Sequence, residues 1–248
     1  MMMFDDLIGQ DAAGTTQKFY GGDEYQNFQN NLTKMPADWY YRSADIKYTY
    51  NKLGHRCKEI DEINLDNYIL FIGCSHTEGI GLELERSFPH LVSQTLGMDY
   101  YNLGIAASGI DVLEYNILTW HYKFQKLPKL VVIQWPDPSR FITKSLDTEH
   151  ILPHGSWSKQ DNIKKFIASA DVTGFLNARR HISVKLVENI VSSPLIKLSF
   201  NNIVQYDNDS LFIRRKDLAR DLHHCGIKSH EEISKTIIDE YMRLYRTR

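Results

Sequence analysis

Apolar residues run unbroken from Tyr68 to Ile72 and again from Leu130 to Ile133, and each run stops at turn-forming or polar residues. Short continuous apolar runs of this kind fit strands buried on both faces. Between them the period changes. Phe88, Leu91, Val92 and Leu96 recur at helical spacing and predict a helix over 86–97, with Gly97 as its C-terminal cap. A strand is expected near 99–102. Ile110, Leu113, Ile117 and Trp120 then predict a helix over 109–125. The strand at 129–134 is stopped by Pro136 and Pro138.

Further along, residues 137–160 carry few periodic signals and hold Pro138, Pro153 and Gly155. They are expected to form a loop or small subdomain over the strand ends. A helix is predicted over 160–191, broken at Gly174, then a strand over 195–200 after Pro194. A last short strand falls at 203–206 or at 211–214. Ile233, Ile237, Ile238, Tyr241, Met242 and Tyr245 share one face of a final helix over 229–246, with Ser229 and Glu232 in capping-box spacing. His230 reads as a polar residue opening that helix.

Strands alternating with helices argue for a parallel sheet covered on both faces, a three-layer α/β/α sandwich of about five strands. Residues 1–44 are polar, with an Asn/Gln-rich patch at Gln26–Asn31, and read as a partly irregular N-terminal arm, in part ordered against a domain spanning 45–248. Its aromatics (Phe19, Tyr20, Tyr25, Phe28, Trp39) suit packing on the domain surface more than stacking on sugar rings.

Composition narrows the function. The 248 residues carry a net charge of −2 with both signs spread along the chain, which gives no nucleic-acid footprint. No apolar stretch approaches the roughly 20 residues needed to span a bilayer, and the acidic first residues lack the features of a signal peptide. Cys57, Cys74 and Cys225 fit neither a disulfide framework nor zinc spacing. A soluble cytoplasmic protein without a metal site is the expectation.

The chemistry concentrates where the first strand ends. Gly73-Cys74-Ser75-His76-Thr77-Glu78-Gly79 places a serine in a tight turn at the carboxyl edge of the sheet, where open α/β sheets bind ligands. A serine needs a base and a group to orient that base. Asp221-Leu222-His223-His224 offers both: an acid and a base three apart can turn the same way, with His223 and His224 as candidates for the base. Cys74, by alternation, faces the core, and Glu78 reads as a solvated loop carboxylate.

These residues carry a resemblance. Residues 73–79 resemble the first block, G-x-S-x-T-x-G, of the SGNH (GDSL-like) hydrolases, with Cys74 where an aspartate is usual. Asn102-Leu103-Gly104 resembles the second block and Asp221-x-x-His224 the last. Tyr50 to Arg56 is similar to an Asn-x-x-Gly-x-Arg segment found before the serine block in some members. The resemblance covers residues 45 to 240 and implies a flavodoxin-like sheet and cleavage of small carboxylic esters, acetylated carbohydrate among them, through an acyl-enzyme without a cofactor. It implies Ser75 as nucleophile, His224 as base and Asp221 as its partner. The backbone N–H groups of Ser75 and Gly104 would form the oxyanion hole, and Asn102 and His76 would border the substrate. The third block departs from the family: Gln134-Trp135-Pro136-Asp137 has no asparagine where one usually completes the oxyanion hole, and Gln134 is the candidate substitute. Losing one such donor costs about a hundred- to a thousandfold in rate. An acyltransferase with the same triad, or a carbohydrate-binding protein that has lost the chemistry, are therefore the alternatives.

Overall fold

The structure, a computed structural model, describes residues 6–144, 151–172, 174–200 and 210–246. The N-terminal segment folds first into β1 (Thr16–Gln17), α1 (Tyr25–Lys34) and β2 (Tyr48–Thr49), with β1 and β2 antiparallel. The central elements follow as β3 (Tyr68–Gly73), α2 (Ser75–Glu78), α3 (Phe88–Leu96), β4 (Asp99–Gly104), α4 (Ile110–Lys123) and β5 (Leu130–Gln134). Then come β6 (Phe141–Lys144), β7 (Ile151–His154), α5 (Asp161–Val172), α6 (Phe175–Ile190), β8 (Leu195–Ser199), β9 (Leu211–Phe212) and α7 (Ile227–Arg246).

Five of these strands form one parallel sheet in the order β4-β3-β5-β8-β9. Counting only sheet strands, that is 2-1-3-4-5, the flavodoxin-like order. Alternate residues feed opposite faces. Leu70, Ile72, Tyr101, Val131 and Ile133 pack with Leu113, Ile117 and Trp120 of α4 and with Val184 and Val187 of α6. Ile69, Phe71, Val132 and Ile196 pack with Phe88 and Val92 of α3 and with Ile233 and Ile237 of α7. Each fully buried side chain of this size stabilises the fold by about 1.5–3 kcal/mol, which explains why the central strands read as unbroken apolar runs.

The break expected at Gly174 occurs, with φ at +71° between α5 and α6. Of the two positions considered for the last strand, 211–214 contains β9, whereas 203–206 lies outside the described residues. Residues 137–160 contain the antiparallel β6–β7 hairpin. Within residues 1–44 the regular elements are β1, α1 and a short turn of helix, and Ala12 and Tyr41 join Ile46, Tyr48 and Tyr50 in a buried cluster with Ile80, Leu82 and Ala219. The expected capping box is corrected. Helix α7 begins at Ile227, and Ser229 does not cap it; the Asp217 carboxylate accepts the N–H groups of Lys228 and Ser229 at 3.0 and 2.8 Å. His230 is fully buried inside the first turn, and its Nδ1 accepts the Phe88 N–H at 2.9 Å. Among the described residues no helix is long and apolar enough to cross a membrane.

Candidate active site

β3 delivers Ser75 to the carboxyl edge of the sheet, at the point where the strand order reverses. Ser75 opens the one-turn helix α2, so its N–H has no acceptor within the helix. Gly79 ends that turn in the left-handed region at φ +82°. Arg56, 1% exposed, holds the end from below: its guanidinium donates to the carbonyls of Gly79 at 2.6 Å, Leu82 at 2.8 Å and Glu78 at 3.3 Å.

The loop before α7 brings the acid and the base to Ser75 across 149 positions of sequence. The Ser75 hydroxyl lies 2.8 Å from His224 Nε2, and His224 Nδ1 pairs with Asp221 Oδ2. The Nδ1–H tautomer satisfies both contacts, leaving Nε2 as acceptor for the serine proton. Leu222 stands between acid and base at φ +57°, a conformation that costs a non-glycine residue roughly 1–2 kcal/mol and turns both side chains one way. Asp221 Oδ1 accepts the N–H groups of His223 and His224 at 2.9 and 3.0 Å. Burial works against the Asp221 charge, but the His224 hydrogen bond and these two N–H groups outweigh it and hold its pKa below the usual carboxylate value. The side chain of Asp221 is 1% exposed and that of His224 17%, so the acid is sealed while the base meets solvent. His223 is exposed and turned away.

Other residues singled out in the sequence fall differently. Gly104 does not offer its N–H outward: that group donates to Asn102 Oδ1 at 2.9 Å. Nor does Gly104 have a positive φ; a Cβ there would lie 2.6 Å from Glu78 N, so glycine is required by the close approach of β4 to α2. Asn102 is fully buried and its Nδ2 donates to Thr77 O at 2.9 Å, so it braces the serine turn. Gln134 is also turned inward. Its Nε2 donates to Trp135 O at 2.6 Å, while Oε1 lies 3.0 Å from Cys74 Sγ and 3.4 Å from Cys74 N. It ties β5 to the serine turn, and its Nε2, the donor the oxyanion role would need, is taken by Trp135 O. His76 does lie at the site, with its ring 5.1 Å from that of His224 and 4.5 Å from Phe200. Burial, then the neighbouring His224, holds its pKa well below the ordinary histidine value.

A second feature was not legible in the sequence. The turn after β4 is locked onto the serine turn: Gly73 O accepts Ile105 N at 3.1 Å and the Ser108 hydroxyl at 3.2 Å. Within it, the Ala106 N–H goes to Glu78 and the Ser108 N–H to Ile105 O, leaving the Ala107 N–H without an acceptor among the described residues. Ala107 sits at φ +62°, a rare conformation for a residue with a side chain. The signal available in sequence was only its place next to Gly104. Glu78, read as a solvated carboxylate, is fully buried and accepts from Tyr50, Gln10 and Ala106. Burial raises its pKa above the ordinary glutamate value despite these donors.

Neither a family model nor a curated protein matches this chain. Among solved structures it is similar to an acetyl xylan esterase from the rumen bacterium Butyrivibrio proteoclasticus (12% identity, TM-score 0.42, covering 72% of this chain and 64% of that one). It is also similar to a psychrotrophic esterase from Pseudoalteromonas sp. (12%, 0.46, 74% and 100%) and to a member of the lipolytic protein G-D-S-L family from Veillonella parvula (11%, 0.36, 71% and 98%). The match spans just under two thirds of the Butyrivibrio chain.

Proposed function

We propose that this protein is a serine esterase cleaving carboxylic esters, with small acyl groups on carbohydrate as the substrate class implied by its sequence motifs. The observation that carries the reading is the continuous chain of contacts from Ser75 Oγ through His224 to Asp221. Ser75 Oγ attacks the ester carbonyl carbon as its proton passes to His224 Nε2. Asp221 stabilises the imidazolium and keeps its orientation. The oxyanion that forms is met by the N–H groups of Ser75 and Ala107, neither of which has an acceptor among the described residues. His224 returns the proton to the leaving alcohol oxygen as the C–O bond breaks, which leaves Ser75 acylated. Water then attacks the acyl-enzyme with His224 again as base, and the acid departs.

The test is turnover of 4-nitrophenyl acetate by wild type, Ser75→Ala and His224→Ala, together with labelling of Ser75 by a serine-directed phosphonate. Turnover and labelling in wild type alone are expected. Equal background rates in all three proteins, with Ser75 unlabelled, would overturn the esterase reading.

A further inference from the structure

We propose that the Tyr20–Asp23 turn of the N-terminal segment is a wall of the active site that positions the Asp221–His224 pair through the Asp23–Arg220 ion pair. This rests on the esterase reading above.

The ion pair links residues 197 positions apart, and both side chains are out of solvent, 0% exposed for Asp23 and 4% for Arg220. Arg220 Nε lies 3.0 Å from each Asp23 oxygen and Nη2 lies 2.7 Å from Oδ2. Nη2 also donates to Lys18 O at 2.5 Å, and the guanidinium lies over the rings of Phe19 and Phe28, at 4.5 and 5.4 Å. Asn31 Nδ2 donates to Arg220 O at 3.1 Å. All these partners of Arg220 come from residues 18–31. From the opposite side its N–H donates to Gly81 O at 3.2 Å, while Gly81 N donates to the Tyr48 hydroxyl, which itself donates to Asp23.

Arg220 precedes Asp221 directly, so fixing both its side chain and its peptide fixes the start of the acid–base loop. A buried ion pair is weak evidence for stability, since apolar residues of similar volume often hold a fold as well. What it supplies here is a charge-assisted, two-oxygen geometry at the residue before the acid.

The same turn reaches the reacting groups. A Cβ on Gly22 would lie 3.5 Å from Asp221 Oδ2 and 3.6 Å from His224 Cε1, and a Cβ on Gly21 would lie 3.8 Å from the Ala106 methyl. The turn therefore runs from the base to the Ala106–Ala107 turn. Gly22 is exposed and its φ is not positive, so a side chain there meets His224 without backbone strain.

Wild type, Gly22→Leu and Asp23→Asn are compared for 4-nitrophenyl acetate kinetics, thermal midpoint and phosphonate labelling. A displacement of the base by about 1 Å should cost on the order of 10- to 100-fold in kcat. The expected result is that loss in Gly22→Leu, with KM little changed and the thermal midpoint retained. Asp23→Asn should show the same split between kcat and KM, and wild-type kcat in folded Asp23→Asn overturns the role of the ion pair; if it fails to fold, Arg220→Lys, which keeps the charge but not the two-oxygen fork, is read in its place. Wild-type kcat in folded Gly22→Leu, with wild type itself active and labelled, overturns the positioning proposal and leaves the esterase reading intact. A wild type that neither turns over nor labels overturns the esterase reading, and the proposal falls with it.

Discussion

Glu78 accepts the backbone N–H of Ala106 at 2.5 Å, and through that bond a buried carboxylate fixes the turn that carries Ala107. The same oxygen accepts Gln10 Nε2 at 3.1 Å, and the other accepts the Tyr50 hydroxyl at 2.5 Å. Glu78→Leu removes the acceptor for all three donors. Leaving buried donors without acceptors costs about 1–3 kcal/mol each, so this variant should unfold at clearly lower urea and lose esterase activity at least tenfold. Glu78→Gln keeps an oxygen for Ala106 and should retain most activity. The pH dependence has a fixed sign. A raised folded-state pKa gives a contribution that is full below about 4.3, the free glutamate value, and is lost as pH rises through the raised value. Glu78→Gln should therefore gain stability relative to wild type as the pH is raised from 4 to 7 in urea titrations.

Removing the proposed nucleophile or base should abolish the chemical step. Ser75→Ala and His224→Ala are expected to lower kcat by on the order of 10⁴ or more, whereas His223→Ala, at an exposed position, should leave it within about twofold. Asp221→Asn should lower kcat severely with little change in KM, because the wrong imidazole tautomer is then favoured. Steady-state kinetics on the ester used for wild type separate these outcomes.

Ala107 combines an N–H that has no acceptor among the described residues with backbone strain, and the two can be separated. Ala107→Gly relieves the strain and keeps the N–H. It should raise stability by about 0.5–1 kcal/mol, a thermal-midpoint gain of roughly 2–4 °C, with activity close to wild type. Ala107→Pro removes the N–H and cannot adopt φ +62°. A folded Ala107→Pro with wild-type kcat would exclude this N–H from oxyanion stabilisation.

The sheet was legible because its strands are buried on both faces, so Tyr68–Ile72 and Leu130–Ile133 appear as unbroken apolar runs. The small elements before the sheet were not, because β1 and β2 are two residues each and α1 is rich in asparagine; they are held by the cluster of Tyr48 and Tyr50 with Ile80 and Leu82, far away in sequence. At the site, a serine turn and an Asp-x-x-His pair can be read from order and spacing. The duties of Asn102, Gly104 and Gln134 cannot. Each satisfies a backbone or side-chain group that becomes buried only when β4, β5 and α2 pack, so their polarity signals bracing of the turn as readily as contact with substrate. Glu78 was misread for the same reason: nothing in its neighbours along the chain announces Tyr50 and Gln10.

Acid should destabilise the protein well above the range where carboxylates titrate. Burial pushes the His55 imidazole down to about 4 and that of His230 down to about 3. Each is fixed in its neutral form: His230 Nδ1 accepts the Phe88 N–H, and His55 bridges the Tyr101 hydroxyl and Ile8 O at 2.9 and 3.1 Å. A free histidine titrates near 6.5, so a lowered folded-state pKa gives stability that is full above about 6.5 and falls as pH drops toward the folded value. Between about pH 6 and pH 4 each such histidine contributes a slope approaching 1.4 kcal/mol per pH unit. His230→Gln retains an acceptor for Phe88 but cannot take up a proton. Urea unfolding of wild type and His230→Gln at several values from pH 7 to 4.5 isolates the effect, because Glu78, which acts in the opposite direction, is common to both proteins. The difference in unfolding free energy should shift in favour of the variant by about 1.4 kcal/mol for each unit below pH 6. Parallel stability curves would mean that His230 takes up a proton as readily in the folded protein as in the unfolded chain, and that its contact with the Phe88 N–H does not hold it neutral.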